Sequence, residues 1–114
     1  MRKVINSFKF EYSFLSNFYN RGFINPLTGV VWPTVEHFFQ AYKTNDEQQR
    51  EKIRNAKTPA AAKRMGRSVR LRAGWHRYRL IAMRRALRYK FTQNADLREK
   101  LLATGDAFLV EGSD

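Results

Sequence analysis

The sequence predicts an α+β fold: a single, mostly helical domain with a small N-terminal sheet joined by a C-terminal strand. Three observations carry this. Val35, Phe38, Phe39 and Tyr42 recur at i, i+3, i+4 and i+7, the spacing of one buried helix face. Phe8, Phe10 and Tyr12 alternate with Lys9 and Glu11, the period of a half-buried strand, and Phe108-Leu109-Val110 is a short apolar run near the C-terminus. Cap and turn residues divide the rest into segments of helical length. With 114 residues and no repeat, linker or low-complexity stretch, 1–114 reads as one domain.

Taken in order, residues 4–12 are expected to form a strand. Ser13 to Tyr19 is aromatic, polar and without clear period, so a loop or short turn is expected. Aromatics set among Ser and Asn suit stacking on a planar ring and bonding its edge, and they equally suit plugging the core beneath. Asn20-Arg21-Gly22 turns the chain. Phe23–Asn25 and Val30–Trp32 flank Pro26-Leu27-Thr28-Gly29, a hairpin signal. Pro33 and Thr34 start the helix that runs to about Lys43: Pro is tolerated in a first turn, and a Thr hydroxyl caps free amides there. Thr44-Asn45-Asp46 breaks that helix and caps the next, about 46–55. Thr58-Pro59 opens a short Ala-rich helix that ends at Gly66, read as a left-handed stop. Arg67 to Gly74 is a basic connector. Trp75 to Phe91 is the longest helix. Its apolar face is read as Trp75, Leu80, Ala82, Met83, Ala86, Leu87 and Tyr89, with Arg77, Arg84, Arg85 and Arg88 largely away from it. Asn94 caps a final helix bearing Leu97, Leu101 and Leu102, which Thr104-Gly105-Asp106 ends.

Composition narrows the function. Apolar residues make up 43% of the chain, enough for a core, and the mean hydropathy is −0.61. The longest apolar runs fall far short of the roughly 20 residues that span a bilayer, so no membrane partner is expected. The N-terminus is basic but lacks the apolar region of a secretory signal. The chain has no cysteine, which excludes disulfides, thiolate chemistry and cysteine-based zinc sites. Two histidines cannot alone close a zinc site, so neither metal nor cofactor is expected. Cytoplasmic residence is the default. The formal charge is +12, and from Lys52 to Ala95 there are fourteen Lys or Arg and no Asp or Glu. Such a block, here Lys52 to Lys90, points to a polyanion: phosphate, nucleotide or nucleic acid.

Glu36, Gln40 and Lys43 fall at i, i+4 and i+7 and form a second stripe on the organising helix. Glu36 lies in the first turn, where the helix dipole favours a carboxylate. A carboxylate, an amide and an ammonium on one stripe are either a solvated face or one wall of a polar pocket. His37 is adjacent to Glu36 but does not face it, so a structural, hydrogen-bonded role is expected. His76 is expected at the surface.

Several stretches together resemble the YbiA-like (NADAR) family. They are Phe14-Leu15-Ser16-Asn17-Phe18-Tyr19, Trp32 through Lys43, Ala62-Lys63-Arg64-Met65-Gly66-Arg67, Trp75, Lys90-Phe91-Thr92-Gln93-Asn94, and Leu101 through Asp106. Their order and spacing match, and they cover nearly the whole chain. The resemblance implies N-glycosidic chemistry on ribosyl phosphates: hydrolysis of early riboflavin-pathway intermediates or, in relatives, removal of ADP-ribose from guanine. It makes Glu36 the leading catalytic candidate and Lys43 a further one. It also implies a Trp-Gly-containing tail beyond the Val110-Glu111 segment. This chain ends at Asp114, so a shortened member or one whose tail was removed is expected.

The chemistry is coherent with these residues. A carboxylate beside C1′ stabilises an oxocarbenium ion and polarises the attacking water. Lys63 and Arg67, around Gly66, are candidate phosphate donors. Phe14, Phe18 and Tyr19 are candidates to stack on the base, and Ser16 and Asn17 to bond its edge. Gln40 shares the stripe with Glu36, and Trp32 and Trp75 complete the substrate-binding candidates, Trp75 with the alternative of a core position. The competing expectations are a non-catalytic binder of nucleotide or nucleic acid and a shortened inactive relative.

Overall fold

The structure, a computed structural model, describes residues 4–5, 7–105 and 108–109. In chain order the elements are β1 (Val4–Ile5), a 3₁₀ helix (Phe10–Leu15), β2 (Phe23–Ile24), β3 (Val31–Trp32), α1 (Val35–Ala41), α2 (Glu47–Arg54), α3 (Pro59–Gly66), α4 (Trp75–Gln93), α5 (Ala95–Ala103) and β4 (Phe108–Leu109). Helices dominate, as the sequence predicts. β1 pairs in parallel with β4, and β2 pairs antiparallel with β3 as the expected hairpin. These are two separate ladders, so the C-terminal strand joins β1 and not the hairpin. Val110, expected in the last strand, and Asp106, expected in the last helix stop, lie outside the described residues, as do Met1–Lys3, Asn6 and the segment to Asp114. No helix among the described residues is long and apolar enough to cross a membrane.

Local chemistry sets the helix starts. The Thr34 hydroxyl accepts the His37 amide at 3.1 Å. Asp46 Oδ1 accepts the amides of Gln48 and Gln49. The Thr58 hydroxyl accepts the Ala61 amide, with Pro59 in the first turn. Each satisfies one or two of the donors that a helix start leaves free.

α1 sits at the centre and packs on α2, α3 and α4. Its Phe38 is surrounded by aromatic rings, with centroids at 4.4 Å from Tyr42, 5.3 Å from Trp32 and 5.7 Å from Phe23. A second buried cluster gathers Ile5, Phe14, Leu15 and Leu97.

Four expectations are corrected. The strand over 4–12 ends at Ile5: Phe10 takes a left-handed φ of 52° and opens the 3₁₀ helix, and the Tyr12 amide donates to the Lys9 carbonyl. No described strand runs beside residues 8–12, so their alternation has no ladder to join, and the turn carries Phe14 and Leu15 into the second cluster. Gly66 is helical and not a left-handed stop; the residue after it is also helical. Asn94 precedes α5 without capping it, because its side chain is engaged elsewhere. Leu80, read on the apolar face of α4, is 58% exposed, because neighbours cover only part of that helix.

Candidate active site

The polar stripe of α1 is buried. Glu36 and Gln40 are 6% and 4% exposed, so the stripe is no solvated face. Gln40 Nε2 donates to Glu36 Oε1 at 2.9 Å, which fixes the carboxylate along the helix. Gln40 Oε1 is buried and has no hydrogen-bond partner among the described residues. Gly66 explains how the amide fits. A Cβ at Gly66 would lie 1.9 Å from Gln40 Oε1, so only glycine lets α3 approach α1 this closely.

Lys43 follows one turn later and is half-buried. Its pKa is pushed down, chiefly by burial; Glu36 opposes that shift, and Arg67 and Lys63 add to it. Glu36, Arg67 and Lys63 therefore each lie close enough to act on the Lys43 ammonium. Lys63 and Arg67 are exposed at the end of α3, while Glu36 is buried.

The loop before the hairpin completes the arrangement. The Asn17 carbonyl accepts the Glu36 amide at 3.0 Å, one of the free donors of the α1 start. The Ser16 hydroxyl accepts the Phe18 amide at 3.1 Å. Phe18 is 40% exposed, and its ring centroid lies 6.0 Å from Lys63 Nζ. Glu36, Gln40, Lys43, Lys63, Arg67, Asn17 and Phe18 thus belong to one locality.

Four candidates are not brought there as expected. Phe14 is buried in the second cluster with Ile5, Leu15 and Leu97. Trp32 is in the core against Phe38 and Tyr42 and offers no open face; its indole N–H is buried and has no partner among the described residues. Trp75 is buried against Phe39 and Tyr78, the core alternative. Tyr19 turns toward α4, with its ring centroid 5.5 Å from Lys90 Nζ. In each case burial of a large ring against its neighbours outweighs exposure to a ligand.

His37 is structural. It is 2% exposed, with Nε2 3.0 Å from the Ala56 carbonyl and Nδ1 2.7 Å from the Thr34 hydroxyl. The consistent assignment has Nε2–H donating to the carbonyl and Nδ1 accepting from the hydroxyl. His76 is exposed. Two features were missed from the sequence. Gly66 looks like a helix stop unless its close contact is known. Lys90 reads as a surface cation, yet it is 1% exposed. Its only signal was its place in the Lys-Phe-Thr-Gln-Asn stretch. A separate open cleft of about 450 Å³ lies between the 3₁₀ helix and α5, lined by Glu11, Tyr12, Phe14, Lys100 and Thr104 among others, and takes in none of the candidate residues.

A model of the NADAR domain matches residues 5–114. The chain is 47% identical over 106 residues to "N-glycosidase YbiA" of Shigella flexneri serotype 5b, covering 91% of this chain and 65% of that protein. It is 39% identical over 105 residues to "Riboflavin biosynthesis protein VVA0006" of Vibrio vulnificus, covering 90% of this chain and 28% of that protein. Its fold superposes on the NMR structure of Escherichia coli YbiA with a TM-score of 0.85 at 46% identity, covering 97% of this chain and 68% of that one. The chain spans less than two thirds of the length of the Shigella relative. A match over nearly all its residues, with the same fold, makes this chain a member of the NADAR family.

Proposed function

We propose that residues 1–114 act as one domain that hydrolyses the N-glycosidic bond of a ribosyl-phosphate or ADP-ribosyl substrate. The observation that carries this reading is the buried Glu36 carboxylate, braced by Gln40, near a Lys43 ammonium on which Glu36, Lys63 and Arg67 all act. The names of the relatives, an N-glycosidase and a riboflavin biosynthesis protein, support the class of bond.

In this mechanism the C1′–N bond breaks and its electron pair leaves with the base, which takes up a proton. Glu36 stabilises the oxocarbenium charge that develops on the ribose and polarises the incoming water. The water oxygen bonds to C1′ and becomes the sugar hydroxyl, so the atoms balance. Lys43, Lys63 and Arg67 hold the phosphate, Arg67 with the planar fork that suits it. Phe18 stacks on the base, and the Asn17 side chain bonds its edge. A cysteine-free chain working on phosphorylated substrates fits the cytoplasm.

The test is release of free base from ADP-ribosylated guanosine and from ribosylaminopyrimidine phosphates, with Glu36→Ala alongside. Loss of release in the variant supports the reading; equal release by both proteins removes Glu36 from the mechanism.

A second reading rests on α4. Arg77, Arg84 and Arg88 are exposed along one stripe of that helix, with Arg79 and Arg85 also exposed. Among the described residues none of the five pairs with a carboxylate, and Arg85 donates instead to the Tyr78 hydroxyl at 3.2 Å. This uncompensated charge favours nucleic acid as a further partner, either as a binding target or as the carrier of the modified base. Such binding weakens steeply with salt; affinity that is absent or independent of salt would rule it out.

A further inference from the structure

Lys90, Gln93 and Asn94, at the C-terminal end of α4, take no part in the mechanism above, yet all three fasten residues 16–24. Lys90 Nζ donates to the Ser16 carbonyl at 2.9 Å and lies 5.1 and 5.5 Å from the ring centroids of Phe91 and Tyr19. No carboxylate pairs with it among the described residues, and Arg21, which acts on it, carries the same sign. Burying an unpaired ammonium costs stability, so packing alone would favour an apolar residue of the same length.

The other two side chains continue the seam. Asn94 Nδ2 donates to the Gly22 carbonyl at 3.2 Å and to the Lys90 carbonyl at 2.8 Å. Asn94 Oδ1 accepts from Arg21, which is also held by both oxygens of Asp96. Gln93 Nε2 donates to the Ile24 carbonyl, and Gln93 Oε1 accepts the Ile24 amide, both at 2.7 Å. On its opposite side the same segment is held by the bond from the Glu36 amide to the Asn17 carbonyl. Residues 16–24 therefore bridge the end of α4 and the start of α1, and Asn17 and Phe18 lie in that bridge beside Glu36.

We propose that Lys90, assisted by Gln93 and Asn94, is a positioning residue: it seats the Asn17–Tyr19 loop on α1 and so sets how the substrate's base is received. This rests on the glycosidase reading for its kinetic consequence and on geometry alone for the fastening.

The test compares Lys90→Met with the intact chain. Hydrogen exchange of the amides of Glu36 and residues 17–19 is expected to quicken about tenfold, while Ile53 in α2 is unchanged and Tm does not fall. On whichever of the two substrates above is cleaved, KM is expected to rise about tenfold with kcat within about twofold. Gln93→Ala, at an exposed position that the fold tolerates, is expected to quicken exchange at Ile24 and to raise KM about threefold. Unchanged exchange in both variants, or a general loss of protection together with a lower Tm in both, overturns the proposal. If the intact chain cleaves neither substrate, the glycosidase reading fails on its own, and the exchange pattern still decides the fastening.

Discussion

Glu36 and Lys90 are both buried and lie on opposite sides of the same loop, but they are satisfied in different ways. Glu36 has one carboxylate oxygen held by Gln40, and it acts on the half-buried Lys43 ammonium. Lys90 is held by a main-chain carbonyl and lies against two aromatic rings, with the like-charged Arg21 acting on it. Burial alone therefore does not mark a reacting group. What separates the two in the proposed reading is the company each keeps: Glu36 shares the Lys43 ammonium with the exposed Lys63 and Arg67, which could hold a ligand, whereas the contacts of Lys90 fasten main chain.

The largest expected effect breaks the comparison on the Glu36 side. Glu36→Gln keeps the shape and the contact with Gln40, and it should lower kcat about 10²–10⁴-fold with little change in KM. If instead the variant unfolds at a lower temperature and turns over normally, Glu36 is as architectural as Lys90. Next is Gly66→Ala. The added methyl meets the Gln40 amide, so a loss of about 1–3 kcal/mol is expected in denaturant titration. Gln40→Ala in the same chain should return most of it, because the clash goes with the amide.

A smaller effect separates the gathered cations from the spread ones. Replacing Arg84 and Arg88 by Ala should reduce the slope of log affinity for DNA against log salt by about 2, without changing release of base. The smallest is a pH effect on Lys90. Burial lowers its pKa to about 8, from the ordinary 10.5. Below about 8 both folded and unfolded chains carry the proton, and the burial cost is fully present. Between about 8 and 10.5 the unfolded chain binds more protons than the folded one, so stability rises with pH. The intact chain should thus gain on Lys90→Met across that window in thermal melts. Lys43, which shifts in the same direction, cancels in the difference.

Much of this was legible from residues alone. Thr34, Asp46 and Thr58 announce three helix starts because a cap is local: the side chain bonds an amide two or three residues on. The spacing of Val35, Phe38 and Tyr42 gave the core face of α1 for the same reason. What needed coordinates was contact across the chain. Gly66 reads as a stop until α1 is seen 1.9 Å from where its Cβ would be. The Phe8–Tyr12 alternation reads as a strand until no strand is found beside it. Trp32 and Trp75 look like ligand platforms until their neighbours cover them. Lys90 is the clearest case, since nothing within its own helix tells that residues 16–24 will close over it.

The hairpin carries one more consequence. Ile24 and Val31 form a pair whose main-chain groups point outward, and each is met by a side chain: Gln93 joins the amide and carbonyl of Ile24, and Arg54 donates to the Val31 carbonyl. Two strands of two residues are thereby finished on both flanks without a third strand. An unfinished flank is a template on which another chain can add itself. These two side chains guard against such recruitment, and a concentrated solution of a chain lacking both should form ordered, strand-rich assemblies sooner than the parent does.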